Sequence, residues 1–162
     1  MKNPLVSPAD YSAFIYALPD RYPVIGYSSL VYVSLGITIG KVKGILSFAD
    51  SIILCVQEFL NFGLQVIEGY GYEVSRARIP VEELPRQEEY CRASYPHKEK
   101  LWWYDSFPHP TDVTLAMNHP HHKHIPPDIK HHRIPAPSLS FTMPNLPFLI
   151  EEIQRTLLQY SS

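Results

Sequence analysis

The segment KVKGILSFADSIILCVQEFL, residues 41–60, decides the fold. Its first half alternates apolar residues with Lys41, Lys43 and Ser47, which is the period of two expected for a half-buried strand. Residues 49–51 form a turn that leads into a second apolar run. Because so short a connection joins antiparallel strands, whereas parallel strands need a long crossover, the segment predicts a β-hairpin.

Further strands flank this hairpin on both sides. Apolar residues alternate over residues 31–39 before it and over residues 64–78 after it. The aromatic run LWWYD at residues 101–105 predicts a fifth strand. Residues 79–99 are charged and interrupted by prolines, so we expect a surface insertion with at most one helical turn.

Helical patterns occur near both ends of the chain. Ser7 and Pro8 have the pattern of a cap followed by proline at the first helical position, and apolar residues recur at helical spacing until Pro19. Residues 146–158 predict an amphipathic second helix. The order of elements predicts an α+β fold of one domain over residues 1–162. In it, a meander of about five antiparallel strands carries the N-terminal and C-terminal helices on one face.

Composition excludes several classes of protein. With 162 residues, 45% of them hydrophobic, the chain can bury one core of ordinary size. A net charge of -2 with neutral histidines excludes a polycation, so nucleic-acid binding requires a local basic patch. Cys55 and Cys91 form no CxxC motif and predict no disulfide framework, which favours a reducing compartment. The longest apolar run, residues 30–39, is too short for a membrane span and no secretory signal is present, so we expect a cytoplasmic protein.

The most unusual stretch is residues 108–137, which contains PHP, HPHHKHIPPDIKHH and RIPAP and seven of the eight histidines. Proline removes backbone donors and fixes φ, so this density predicts extended or turning backbone and excludes a regular helix or a central strand. We therefore expect an extended, His/Pro-rich functional loop over residues 106–145. So many titratable groups indicate chemistry rather than packing.

Three segments together carry a family resemblance: WYDSFPHP, HPHHKHIPPDIKHHRIPAP and FTMPNLPFLIEEI. They resemble the TumE-like family of bacterial toxin–antitoxin proteins in its cyanobacterial form. The resemblance is strongest over residues 101–153 and looser over residues 27–74, and the insertion at residues 79–99 is longer than is typical. It implies a small intracellular toxin encoded beside a helix-turn-helix antitoxin. Since small toxins of this kind usually cleave RNA, the resemblance implies a ribonuclease.

The first interpretation of the histidines is RNA cleavage without a cofactor. That reaction needs a base for the 2'-hydroxyl, an acid for the leaving oxygen, and cations for the charge that develops on phosphate. The predicted catalytic residues are Glu58, His121, His122 and His124, and the predicted substrate-binding residues are Lys123, Lys130, Arg133, Tyr104 and Asp105. Glu58 is included because strand alternation puts it on an apolar face, where an unpaired carboxylate is costly. We therefore expect Glu58 to contact the histidine stretch.

Two other interpretations stay open. In one, His119, His121, His122 and His124 bind a divalent metal, with carboxylate ligands from Glu58, Asp105, Asp112 or Asp128, although the spacing matches no zinc motif. The protein is then a non-catalytic binder of metal or partner that is toxic by sequestration. In the other, the loop is a rigid wrapper whose histidines bond to backbone, a role that suits His109 between two prolines.

The aromatic residues of the fifth strand divide in a similar way. Alternation puts Trp102 and Tyr104 on one face and Trp103 and Asp105 on the other. One pair is expected in the core, and only the other can be displayed to stack unpaired bases. Glu58 and Asp105 are the carboxylates predicted to lie beside the histidines.

Overall fold

The computed structural model describes residues 2–158, which contain one antiparallel sheet and three α-helices. The strands are β1 (Tyr27–Ser28), β2 (Val31–Ser34), β3 (Ile39–Ser47), β4 (Ile52–Asn61), β5 (Val66–Ala77), β6 (Lys98–Asp105), β7 (His122–His124) and β8 (Arg133–Pro135). The helices are α1 (Pro8–Arg21), α2 (Gln87–Tyr90) and α3 (Leu146–Leu157). None of the helices within residues 2–158 combines the length and apolar character needed to cross a membrane.

The predicted α+β class is confirmed, and the predicted strand count is wrong. The sheet has the order β1-β3-β4-β5-β6-β7-β8, with β2 also paired to β3. The hairpin expected over residues 41–60 is the β3–β4 pair, in which Val42 faces Glu58. Three strands were missed: β1, β7 and β8, each of two or three residues. Segments so short carry no readable alternation.

The histidine stretch contributes a central strand, contrary to the sequence prediction. β7 pairs with β6 on one side and with β8 on the other. Its residues, His122–His124, include no proline, because Pro120 and Pro126 lie outside the paired segment. The high proline content of this stretch therefore limits the length of the strand but does not prevent a strand from forming.

Helix α1 begins as predicted and ends later. The Ser7 side chain accepts a hydrogen bond from the Asp10 backbone, and Pro8 occupies the first turn. Pro19 lies inside the helix, which continues to Arg21, so the predicted end at Pro19 is wrong. The missing backbone donor falls in the last turn, where only one intrahelical bond is lost.

The two long helices and one face of the sheet form the main core. Tyr11, Ile15 and Leu18 of α1 and Leu149, Ile150 and Ile153 of α3 are buried together with Leu54 of β4, Val74 of β5 and Tyr104 of β6. This arrangement confirms the prediction that both terminal helices pack on one face. We call this face the helix-covered face and the opposite one the open face.

The insertion packs against part of the open face. A second, smaller cluster contains Ile45, Ile53, Cys55, Ala77 and Tyr90. Cys55 of β4 forms a disulfide with Cys91, just after α2, so the expectation of no disulfide is wrong. The two cysteines are 36 residues apart in sequence, and they meet because the insertion folds back over β4.

Candidate functional site

Pairing of β6 with β7 brings the end of the aromatic strand beside the histidines. Asp105 lies opposite His122, and Trp103 lies opposite His124. These four residues belong to the open face, whereas Tyr104 lies in the main core, with Trp102 packed against it. The division of the aromatic strand predicted from alternation is therefore confirmed.

Asp105, His122 and His124 form a compact cluster, which we call the Asp-His-His cluster. His122 Nε2 lies 2.9 Å from Asp105 Oδ1, and His124 Nε2 lies 3.3 Å from Asp105 Oδ2. The two Nε2 atoms are 3.2 Å apart. Both rings are buried, while about a quarter of the Asp105 side chain is exposed, at 28%. Within residues 2–158, three groups that can each offer a ligand atom thus converge, and the carboxylate is the most exposed of them.

The orientation of both rings is fixed by backbone carbonyls. His122 Nδ1 lies 2.9 Å from the Pro120 carbonyl oxygen, and His124 Nδ1 lies 3.0 Å from that of Ile129. A carbonyl oxygen only accepts hydrogen bonds, so each ring donates from Nδ1. In its neutral form each ring then presents Nε2 as a lone-pair acceptor.

The electrostatics of the cluster favour a negatively charged Asp105 beside a positively charged His122. Burial of Asp105 favours the neutral acid, but the hydrogen bonds to His122 and His124 outweigh burial and hold the pKa of Asp105 well below its usual range. Burial likewise opposes the charged form of His122, but the bonds to Asp105 and to the Pro120 carbonyl raise its pKa. The site is therefore built to hold positive charge beside the Asp105 carboxylate.

His109 and Arg133 flank the cluster. The rings of His109 and His122 meet edge to face with centroids 4.9 Å apart, and Arg133 Nη1 lies 3.0 Å from His109 Nε2. Burial and the neighbouring Arg133 lower the pKa of His109, so this ring is neutral at pH 7. Arg133 Nε is buried and has no hydrogen-bond partner among residues 2–158.

A cavity of about 550 Å³ on the open face leads to the cluster. Trp103 and Asp105 line it on the cluster side, and Cys91 and Arg92 line it on the insertion side. Its wall also carries the cationic Lys43 and Lys100 and the acidic Glu73 and Glu88, with Lys43 Nζ 3.8 Å from a Glu88 carboxylate oxygen. The disulfide-linked insertion and the end of β6 thus form walls of one space.

Glu58 lies on the helix-covered face, apart from the cluster. It is fully buried, and its oxygens accept hydrogen bonds from Tyr11 at 2.6 Å and from Tyr72 at 2.5 Å. Within residues 2–158 no histidine is bonded to it, so the predicted contact with the histidine stretch is wrong. A buried carboxylate needs hydrogen-bond donors, and here tyrosine hydroxyls supply them instead of histidines.

Three other predicted site residues also lie on the helix-covered face. Tyr104 is buried and donates to Glu152 of α3, and Lys123 forms an ion pair with the same carboxylate at 3.1 Å. His121 Nδ1 lies 2.5 Å from the Tyr70 hydroxyl, and its ring stacks on Tyr70. These contacts tie the histidine strand to the core.

The remaining predicted residues divide between the loop surface and the site. His119 and Lys130 are exposed on the loop and are not brought to the cluster. Asp105, His122, His124 and Arg133 are brought together. His109 was predicted to be structural, yet it lies against His122, and its proximity comes from the way residues 106–121 fold back, a feature that no local pattern shows.

Comparison with known proteins identifies the family to which this chain belongs. A family model described as Toxin TumE matches residues 18–157. No curated protein and no solved structure matches the chain. The matched range contains every residue of the Asp-His-His cluster and the core residues contributed by the sheet and by α3, whereas most of α1 lies before it. The chain therefore belongs to the TumE toxin family, which makes it the toxin component of a toxin–antitoxin system with an antitoxin as partner.

Proposed function

We propose that this toxin is a ribonuclease that cleaves single-stranded RNA at the Asp-His-His cluster. The observation that carries the proposal is the convergence of two buried histidines on Asp105, a carboxylate that lines a cavity whose wall includes Lys43 and Lys100. Buried titratable groups with a charge partner beside a cleft are typical of catalytic sites.

The geometry changes the roles expected for the histidines. In RNA cleavage the 2'-oxygen and the leaving 5'-oxygen lie on opposite sides of phosphorus. His122 and His124 point their Nε2 atoms at one spot, 3.2 Å apart, so they are poorly placed to act as separate acid and base. We assign the positive charge that the cluster is built to hold beside Asp105 to stabilising the negative charge that develops on the phosphate.

His109 and Arg133 complete the reaction. Arg133 Nη1 lies 3.0 to 3.1 Å from the ring nitrogens of His109, so it must turn from the acceptor nitrogen to the phosphate before His109 acts as a base. The neutral His109 then accepts the 2'-hydroxyl proton while the 2'-oxygen bonds to phosphorus and the bond from phosphorus to the 5'-oxygen breaks. The 5'-oxygen takes a proton from water, and the hydroxide formed removes the proton from His109. We assign the Arg133 guanidinium, which lies beside His109, to binding a phosphate oxygen.

The cavity supplies binding groups for the RNA strand. Trp103 stacks on His124 at 4.1 Å and lies under the Lys100 ammonium, which is 5.4 Å from its ring centroid. An aromatic face beside cationic side chains suits an unpaired base and its phosphate. An RNA target agrees with the expected action in the cytoplasm, and we propose a helix-turn-helix protein as the antitoxin.

The test compares cleavage of a labelled single-stranded RNA by the purified full chain and two variants. We expect His124→Ala to lower the cleavage rate by at least about 100-fold, because charge stabilisation at phosphate is worth that much. Arg133→Gln should weaken RNA binding and reduce the dependence of binding on salt concentration by about one unit, since it removes one phosphate contact.

The matched control is His131→Ala, which removes an exposed histidine of the same loop that bonds only Asp128. It should cleave like the unchanged protein. Equal rates for His124→Ala and His131→Ala, or no cleavage of any RNA by the unchanged protein, would contradict the proposal.

A further inference from the structure

The Asp-His-His cluster contains more acceptors than donors. Both Nδ1 atoms donate to carbonyls, so both neutral Nε2 atoms are acceptors, and the Asp105 carboxylate also only accepts. The Nε2 atoms of His122 and His124 lie 2.9 and 3.3 Å from different oxygens of the carboxylate and 3.2 Å from each other, so these acceptors repel unless a proton or a metal ion lies among them. In a buried site an unmatched set of this kind is costly.

The spacing fits a metal ion. With metal–ligand bonds of about 2.0 to 2.1 Å, neighbouring ligand atoms around one ion lie about 2.8 to 3.4 Å apart, from octahedral to tetrahedral angles. The two Nε2 atoms are 3.2 Å apart, and each faces an oxygen of the same carboxylate.

The second observation is the way in which the rings are held. Metal-ligating histidines almost always donate their other ring N–H to a carboxylate or a backbone carbonyl, which fixes the tautomer and aims the lone pair. Both His122 and His124 do so, to Pro120 and Ile129 respectively. Exposed histidines that form incidental ion pairs are not held in this way through both ring nitrogens.

We propose that Asp105, His122 and His124 bind one divalent transition-metal ion, with Zn²⁺ as the principal candidate. Two imidazoles and one carboxylate are the ligand set that zinc takes in hydrolytic sites, whereas Mg²⁺ and Ca²⁺ prefer oxygen ligands only. The Asp105 side of the cluster reaches the cavity, so the remaining coordination positions face the space where substrate enters. Three protein ligands with an open position are typical of a catalytic zinc site.

The other loop histidines have separate surroundings. His121 is bonded to Tyr70 on the helix-covered face, and the exposed His131 and His132 lie beyond β7 with partners of their own, Asp128 and the Pro126 carbonyl. The ligand set is therefore different from the run of neighbouring histidines that the sequence indicates. A catalytic role for the ion rests on the proposed function, whereas its binding does not.

Calorimetric titration of the chelator-treated full chain with ZnCl₂, without RNA, tests the inference. We expect one site per chain. His124→Ala and Asp105→Asn should each lower the affinity by at least about 100-fold, more than loss of an outer-shell partner does. Co²⁺ in place of Zn²⁺ gives a second readout, a visible spectrum that depends on the ligand geometry and that both variants should lose.

His131→Ala is the matched control and should bind Zn²⁺ like the unchanged protein. The inference is overturned if no saturable site is found, or if His124→Ala and Asp105→Asn bind as tightly as His131→Ala while keeping the melting temperature of the unchanged chain. If a variant melts early, the other variant decides. Zinc binding without RNA cleavage would leave this inference standing and remove the proposed function, and cleavage without zinc binding would do the reverse.

Discussion

At the scale of single residues, two carboxylates predicted to share one role have opposite surroundings. Asp105 faces two histidines, which hold its pKa well below the usual range. Burial raises the pKa of Glu58, and the hydrogen bonds from Tyr11 and Tyr72 only partly oppose that rise. Environments that separate two carboxylates in this way assign different roles to them. We therefore assign Asp105 to the proposed site, whereas Glu58 lies in the core.

We predict that Glu58→Gln affects stability and leaves RNA cleavage unchanged. The amide replaces one acceptor oxygen, so Tyr11 or Tyr72 loses its partner at a cost of about 1 to 3 kcal/mol. The folded-state pKa of Glu58 lies above its unfolded value, so the stability that this group contributes is present below about pH 4.5 and is lost as pH rises through the raised pKa.

Urea unfolding from pH 4 to pH 8 checks this prediction. The difference in unfolding free energy between the unchanged chain and Glu58→Gln should shrink as pH rises through that window. A pH-independent difference would show that Glu58 titrates normally. Loss of cleavage by a folded Glu58→Gln protein would return Glu58 to the site.

At the scale of elements, the disulfide decides how the insertion is held. Cys55 and Cys91 join β4 to the segment after α2, with Lys98 of β6 bonded to the Tyr90 carbonyl beside it. The insertion forms one wall of the cavity only while it stays in this position.

We predict that reduction of this disulfide destabilises the chain by up to about 4 kcal/mol, the loop-closure value for a bridge between cysteines 36 residues apart. Thermal unfolding with and without reductant measures the effect. Cys91→Ser should melt like the reduced protein and should not respond to reductant. Equal melting temperatures of the oxidised and reduced protein would show that the main core alone holds the insertion.

Some elements of the fold could be predicted from the sequence, and the Asp-His-His cluster could not. The β3–β4 hairpin was predictable because long alternating runs meet at a tight turn, and α3 because its apolar stripe spans three turns. The cluster was not, because it depends on β6 pairing with β7 in one particular register. Register between strands separated by residues 106–121 is set by tertiary packing and not by local pattern. The resemblance located the stretch, and only the pairing selected His122 and His124 within it.

At the scale of the whole molecule, the sheet separates the main core from the proposed site. The helix-covered face is filled by α1, α3 and the tyrosine–Glu58 contacts. The open face carries the cluster, the cavity and the insertion. Neighbouring residues of one strand therefore serve different ends, since alternate side chains point to opposite faces.

This division predicts opposite outcomes for two adjacent substitutions in β6. Tyr104→Phe removes the hydroxyl that bonds Glu152, so it should lower stability by about 1 kcal/mol and leave growth arrest intact when the toxin is expressed alone. Asp105→Asn keeps the shape and the oxygen that accepts from the Phe107 backbone, but removes the charge that faces both histidines, so it should abolish growth arrest.

Co-expression with the antitoxin is the control and should restore growth for Tyr104→Phe as for the unchanged toxin. Melting temperatures separate the two explanations for lost toxicity, because an Asp105→Asn protein that is folded and harmless supports the assignment to the site. Growth arrest by Asp105→Asn at the level of the unchanged toxin, or loss of arrest by a folded Tyr104→Phe, would show that the two faces do not divide the work in this way.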